Sequence, residues 1–218
     1  MTNMIKHGVM MVALMAMVLI TAPSNNAFAN DRLDEGVGLV NALVERIQTV
    51  IGEDPDQAKV RAETNAIIDE FFDFDLVARF AAGQAWRSAS DVEKADYKTA
   101  FRRVLLALAE TQFEYFRRIE YTPKDAISKG PKLMIVSGMV HDKTGEYPDA
   151  VVSWRISTKQ GKPARIIDLE VENISMLITQ QQENTAIIRQ NGGSLQALID
   201  ALNQQADDIA AGKITASD

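Results

Sequence analysis

The carboxylates best placed for acid–base chemistry lie in an aromatic stretch, residues 71–86. This stretch, FFDFDLVARFAAGQAW, holds four of the eight Phe residues and one of the two Trp residues of the chain. Asp73 and Asp75 flank Phe74, and a carboxylate held against apolar rings can have a raised pKa and act as a general base. Helix capping is the stronger interpretation, because an aspartate accepts hydrogen bonds from the free amides at a helix start.

Other groups that could do chemistry are scarce in the sequence. The chain has no Cys, and its two His residues are His7 and His141. These counts exclude disulfides, thiol catalysis, thiolate metal sites and histidine metal clusters. We therefore expect no catalytic residue, no metal and no cofactor. Asp168, Glu170 and Glu172 alternate along a predicted strand, and we expect them to form its solvated face.

The first 29 residues have the pattern of a cleaved signal peptide. Lys6 and His7 precede an apolar run over residues 9–20, and residues 27–29 (AFA) match the small-x-small pattern of a signal-peptidase site. We expect an exported protein that is soluble in the periplasm after cleavage, with residues 30–218 forming one domain. The net charge of −7 argues against nucleic acid as a partner.

Helical periodicity dominates the first half of the expected domain. It covers residues 34–51 and 56–72, is interrupted around Asp73 and Asp75, and resumes after a capping box formed by Ser90 and Glu93. The helix that begins there is expected to run to Pro123. Because its middle section is apolar on two sides, we expect that section to be covered on more than one side.

Alternating apolar residues follow and predict three strands, at residues 132–140, 150–157 and 165–171. Two short helices then begin at Ser175 and Ser194, and residues 206–218 have the character of a frayed tail. The predicted fold class is α+β, with helices packed on the concave face of a curved antiparallel sheet. Such a cone can be filled or hollow, and periodicity alone leaves both open.

Two blocks of sequence resemble the MlaC, or toluene-tolerance (Ttg), family of exported ABC-transport auxiliary proteins. The first block comprises residues 72–75 (FDFD), 78–79 (AR), Gly83, 86–87 (WR) and Phe101. The second comprises residues 168–176 (DLEVENISM), followed by the closing helix from Gly192 to Leu202. Together the two blocks span nearly all of the chain after residue 29. The chain departs from the family pattern after Ser175, where Gln180, Gln181 and Asn184 stand in place of a Tyr-Arg pair and a Phe.

The resemblance implies a nuclear-transport-factor-2-like cone whose hollow takes the acyl chains of a phospholipid. It implies a carrier without enzymatic activity, whose cargo is the bound phospholipid. The implied partners are an inner-membrane ABC transporter with an MCE-domain subunit and an outer-membrane lipoprotein complex. Lipid transport between them in the periplasm would serve outer-membrane lipid asymmetry.

Under this resemblance, three segments are expected to supply the lipid-binding wall of the hollow. The first two lie in the helical half of the chain and the third in the strands. The twelve predicted wall residues are Leu76, Val77, Phe80, Leu105, Leu108, Ala109, Phe113, Val152, Trp154, Ile167, Leu169 and Val171.

Three alternatives remain open from the sequence. The first is a small-substrate isomerase or lyase on the same fold, with Asp73, Asp75 or Asp168 as its base. The second is an adaptor protein whose cone is solid. The third is a carrier for another lipid, such as a hopanoid.

Overall fold

The computed structural model describes residues 25–158 and 161–213. The helices are α1 (Asn25–Gly52), α2 (Gln57–Phe71), α3 (Phe74–Ala81), α4 (Ala85–Ser88), α5 (Asp91–Arg118), α6 (Met176–Gln190) and α7 (Leu195–Ala210). The strands are β1 (Ile119–Ser128), β2 (Leu133–Asp142), β3 (Ala150–Ser157), β4 (Arg165–Val171) and β5 (Ile174–Ser175). Residues 1–24 of the predicted signal peptide lie outside the described residues, so its cleavage stays a prediction.

The strands form one antiparallel sheet in the order β1-β2-β3-β4-β5. The three predicted strands are confirmed as β2, β3 and β4, and the predicted α+β class is confirmed with them. Strand β1 was missed, because the preceding helix was expected to continue to Pro123 and instead ends at Arg118. Pro123 lies on this edge strand beside a register shift, which is where a sheet tolerates proline.

Two hydrophobic cores hold the molecule together. The helical core joins α3, α5, α6 and α7 through residues such as Tyr97, Phe101, Leu198 and Leu202. The sheet core joins α1 and α2 to the sheet through residues such as Val40, Leu43, Phe71, Met134, Ile156 and Ile166. Helix α7 continues into the predicted frayed tail as far as Ala210, because Ala206 and Ile209 are buried in the helical core.

The break between α2 and α3 is fixed by side-chain capping and by the sheet. Asp73 accepts a hydrogen bond from the backbone amide of Leu76 at 3.1 Å, so it caps α3 as the sequence predicts. Its own amide donates to the carbonyl of Ile166 on β4 at 2.9 Å. The predicted capping box of Ser90 and Glu93 is also confirmed. These contacts hold the turn from α2 to α3 against the sheet.

The two faces of β4 are only partly as predicted. Cross-strand pairs place Leu169 opposite Trp154 and Asp168 opposite Arg155, which confirms the alternation of this part of the strand. However, Asp168 is buried, and the expectation that it is solvated was wrong. Its carboxylate accepts hydrogen bonds from the Ser175 hydroxyl at 2.6 Å and the Leu177 amide at 3.0 Å. The start of α6 therefore covers this part of the expected wet face.

No helix with the length and apolar character needed to cross a bilayer occurs between residues 25 and 158 or between 161 and 213.

Candidate functional site

An apolar cavity of about 260 Å³ lies where the two cores meet. Helices α1, α2, α3 and α5 surround it. Among the described residues that line it, Glu63 and Thr64 are the polar ones. The apolar lining residues are Ile47, Val50, Ile51, Val60, Ile67, Ile68, Phe72, Phe74, Val77, Leu105, Ala109, Phe113 and Phe116.

Helix α5 supplies one wall of the cavity because it is apolar on two faces. Leu105, Ala109, Phe113 and Phe116 recur at intervals of three or four residues, so they lie on one face and line the cavity. The other face, which includes Val104, is buried in the helical core. The prediction that the middle of this helix is covered on more than one side is confirmed.

Helix α2 forms the opposite wall and is tied to its neighbours by charged groups. Its stripe of Val60, Ile67 and Ile68 faces the cavity, while its polar side chains make interhelical ion pairs. These pairs are Arg46–Glu63 at 2.5 Å from α1, Arg61–Glu110 at 2.5 Å to α5, and Arg102–Asp69 at 2.7 Å from α5. Arg117 of α5 also pairs with Asp54 in the turn before α2. The apolar stripe is thus flanked by electrostatic contacts near the surface.

Four of the twelve predicted wall residues line this cavity: Val77, Leu105, Ala109 and Phe113. The remaining eight lie elsewhere. Phe80 is 42% exposed and, with Leu76, lines a separate surface groove, because Ala78 and Ala81 are the residues that α3 buries. Leu108 packs against the helical core.

The predicted strand residues also lie away from the cavity. Val152 is buried in β3, and Trp154 packs against the sheet core that α1 covers. Leu169 pairs with Trp154 and Val171 pairs with Val152, while Ile167 lies at a register shift between β3 and β4. The strands were expected to line the hollow directly, but α1 and α2 lie between the sheet and the cavity. Whether any of the twelve residues contacts lipid stays a prediction.

Helices α1 and α2 supply the lining that the sequence reasoning missed. The spacing of Ile47 and Ile51 in α1 and of Ile67 and Ile68 in α2 gave the signal. Such spacing predicts an amphipathic helix, but it does not show whether a packed core or a cavity lies against the apolar stripe. Phe72 and Phe74, from the aromatic stretch, also line the cavity.

The carboxylates considered as general bases all have structural partners. Asp73 caps α3, Asp75 pairs with Lys98 at 3.0 Å, and Asp168 bonds to the start of α6. None of the three lines the apolar cavity. The three carboxylates that the isomerase alternative names as its base therefore all lie outside this cavity.

His141 is exposed and pairs with Asp149 at 2.6 Å, on the surface of the sheet. The hydrogen bond and charge of Asp149 raise the pKa of His141 above its ordinary value. In the part of the chain that the structure describes, no group of three or more His, Asp or Glu residues could hold a metal ion.

Comparison with known proteins identifies the fold and the family. A solved structure of a phospholipid-binding protein from Ralstonia solanacearum, in complex with a phospholipid, is similar to this chain with a TM-score of 0.68. The match covers 79% of this chain and 97% of that chain, at 17% sequence identity. A search of curated protein sequences finds no match. The family model described as MlaC protein matches residues 38–204, so this chain belongs to the MlaC family.

Proposed function

We propose that this protein is a lipid carrier that holds acyl chains in the apolar cavity between α1, α2, α3 and α5. The observation that carries the proposal is the lining itself, in which every residue except Glu63 and Thr64 is apolar. Membership of the MlaC family supports it, as does the similar fold of a phospholipid-binding protein. A phospholipid is the cargo that these observations favour.

The energetics explain why a lipid needs such a cavity to move between membranes. Each CH₂ group left in water costs about 0.8 kcal/mol, so two chains of about fifteen carbons cost on the order of 20 kcal/mol. An apolar cavity removes most of that cost because the chains exchange one apolar environment for another. A lipid can then leave a membrane without crossing water unprotected.

The size of the cavity implies a conformational change on loading. Its volume of about 260 Å³ lies below the ~300–1,000 Å³ of ordinary small-molecule pockets, and a phospholipid is larger than most such ligands. We infer that α2 moves away from α5 when lipid enters. Helix α2 suits this movement, because only three of its apolar residues, Val60, Ile68 and Phe71, are buried and its ion pairs are near the surface.

The cellular role follows from the family resemblance and the predicted signal peptide. In this proposal the protein is periplasmic and carries lipid between an inner-membrane ABC transporter with an MCE-domain subunit and an outer-membrane lipoprotein complex. Export can be tested separately, by fractionating cells that express the full chain and sequencing the N-terminus of the mature protein. We expect a periplasmic protein that begins at Asn30.

Lipid binding is tested by extracting the purified protein with organic solvent and identifying the extract by mass spectrometry. We expect a phospholipid at close to one molecule per protein chain. Protein stripped of lipid is then incubated with vesicles of phosphatidylethanolamine and phosphatidylglycerol and extracted again. A protein that is reproducibly empty and cannot be loaded would refute the carrier proposal, while a hopanoid in the first extract would change the cargo.

A further inference from the structure

A second surface depression lies outside the cavity, between the segment from α3 to α4 and the outer side of α6. It consists of two adjoining pockets of about 610 and 800 Å³ that share Gly83, Gln84 and Gln181. None of its residues lines the apolar cavity. We call it the arginine groove and define it by Arg79, Phe80, Trp86, Arg87, Gln181 and Arg189.

The arginines of this groove differ from most others in the chain. Seven arginines form ion pairs with carboxylates: Arg46, Arg61, Arg102, Arg103, Arg117, Arg118 and Arg155. Among the arginines whose side chains the structure describes, four have no carboxylate partner: Arg165, which donates to the Ala164 carbonyl, and the three groove arginines Arg79, Arg87 and Arg189. An acidic protein with a net charge of −7 therefore gathers three uncompensated guanidinium groups around one groove.

Apolar and amide groups lie between these charges. Phe80, which lines the groove, is 42% exposed. Trp86 is half-buried and packs edge-on against Tyr97 at a centroid distance of 6.3 Å, which holds its ring in place. Exposed apolar side chains grouped among charged ones are typical of interaction surfaces.

Helix-dipole stabilisation accounts for only part of this arrangement. Each of the three arginines lies in the last turn of its helix, where a cation is favoured. That effect explains where each arginine stands along its own helix. It does not explain why the three helices direct their arginines to one groove, or why Phe80 remains exposed between them.

We propose that the arginine groove binds an acidic, amphipathic segment of a partner protein. Carboxylates of the segment would pair with Arg79, Arg87 and Arg189, since the guanidinium group is suited to bidentate carboxylate recognition. An apolar side chain of the segment would pack against Phe80 and Trp86. A concave groove fits a chain segment better than a flat bilayer, and the net negative charge of the protein disfavours an anionic membrane.

The test uses the full chain and three fluorescein-labelled peptides, with binding measured by fluorescence anisotropy. The first peptide alternates Asp and Glu with Leu and Phe. In the second the acidic residues are replaced by Lys, and in the third the apolar residues are replaced by Ser. We expect only the first to bind, with an affinity that falls as salt is added. The triple variant R79Q/R87Q/R189Q should raise its Kd by ~10-fold, and Phe80→Ala should also weaken binding.

The matched control is the triple variant K124Q/K129Q/K132Q, which removes three exposed charges from the β1–β2 hairpin. It should bind the acidic peptide as the wild type does. Both triple variants should load lipid from vesicles normally, which separates this inference from the proposed function. Equal loss in the two triple variants, or no binding of the first peptide, overturns the proposal.

Two other occupants are distinguished in the same series. In the first case the protein binds no peptide but co-sediments with vesicles of phosphatidylethanolamine and phosphatidylglycerol. If R79Q/R87Q/R189Q abolishes that co-sedimentation, the groove is assigned to a membrane surface instead. Self-association seen by light scattering and abolished by the same variant would assign it to a second copy of this chain. Either result overturns the partner-protein proposal.

Discussion

Arg46 of α1 and Glu63 of α2 form an ion pair beside the apolar cavity, with Arg46 Nη2 2.5 Å from Glu63 Oε2. Glu63 is also one of the two polar residues in the cavity lining. The pair therefore joins the two helices at the edge of the proposed binding site. Because both side chains are partly exposed, at 42% and 24%, the pair is weak enough to open without unfolding the protein.

Breaking this pair should speed lipid exchange with little loss of stability. For Glu63→Gln we expect the free energy of unfolding to fall by less than about 1 kcal/mol, as for other exposed ion pairs. Transfer of a fluorescent phospholipid between vesicles should become roughly 2-fold to 5-fold faster, because the closed position of α2, which moves when lipid enters, loses the same small stabilisation.

The control for this prediction is Asp208→Asn, which breaks the Lys213–Asp208 pair at the C-terminal end of α7. It should leave the transfer rate unchanged. If Glu63→Gln and Asp208→Asn both transfer lipid at the wild-type rate, the Arg46–Glu63 pair does not hold the cavity closed.

Filling the cavity should block lipid without unfolding the protein. Ala109 lines the cavity, so Ala109→Trp should place its ring in the open volume and reduce lipid loading from vesicles to a small fraction of the wild-type level. Ala107, two residues earlier on α5, is buried in the helical core. Ala107→Trp should instead destabilise the protein by ~1–3 kcal/mol or more, because it overpacks a filled region.

The comparison of these two variants uses thermal unfolding and the loading assay together. The same substitution at two positions of α5 thus distinguishes a residue that faces the cavity from one that faces a packed core. Similar destabilisation by both variants, or full loading of Ala109→Trp, would contradict the assignment of this cavity as the lipid site.

Asn184 should be a major polar contributor to the stability of the helical core. It is fully buried, donates to the Ala81 carbonyl at 3.1 Å and to the Tyr97 hydroxyl at 3.4 Å, and accepts from Gln180 at 3.0 Å. Burial raises the pKa of Tyr97, so its hydroxyl stays neutral in this network. Asn184→Ala should cost ~1–3 kcal/mol in urea unfolding, because the Ala81 carbonyl loses this partner in a buried site.

The exposed Gln182 on the same helix provides the control for Asn184. Gln182→Ala should change the free energy of unfolding by less than about 0.5 kcal/mol. A wild-type stability for Asn184→Ala would mean that the buried hydrogen bonds contribute nothing net to the fold.

Asp142 should make stability sensitive to acid. Burial alone would raise the pKa of Asp142, but hydrogen bonds from Thr144, Arg118 and the Tyr147 amide outweigh burial and hold the pKa well below its usual range. Because the pKa is lower in the folded state, the ionised carboxylate stabilises the fold, and this stabilisation is complete at pH values above the ordinary carboxyl pKa of about 4. That stabilisation is lost as the pH falls below about 4 toward the lowered folded-state pKa.

Thermal unfolding of wild type and Asp142→Asn across this acidic range tests the assignment. The wild type should be more stable near neutral pH, and the difference between the two proteins should shrink as the pH falls below about 4. A difference that is constant with pH would show that ionisation of Asp142 is not the source of its contribution.

Local patterns in the sequence were sufficient for most of the secondary structure. The capping box of Ser90 and Glu93 and the cap of Asp73 were predicted because each depends on residues within one helical turn. Alternation of apolar and polar residues predicted β2, β3 and β4, because this pattern too depends only on neighbouring residues in the sequence. Strand β1 was missed because the signal around Pro123 is weak by itself and the strand is defined by its pairing with β2.

Burial was harder to predict, because it depends on which distant element covers a residue. Asp168 has the sequence context of a solvated strand residue, yet the start of α6 folds over it. Phe80 has the context of a core residue, yet α3 buries the small residues Ala78 and Ala81 and leaves Phe80 exposed.

The sequence by itself determined the α+β class, the capped breaks between helices and the two apolar faces of α5, because each follows from periodicity and short-range hydrogen bonding. The tertiary structure alone decided that α1 and α2, rather than β3 and β4, complete the cavity. An apolar side chain has the same pattern whether it faces a packed core or an empty space. Only the positions of the surrounding elements distinguish the two, and here the helical core and the sheet core leave a gap between α2 and α5.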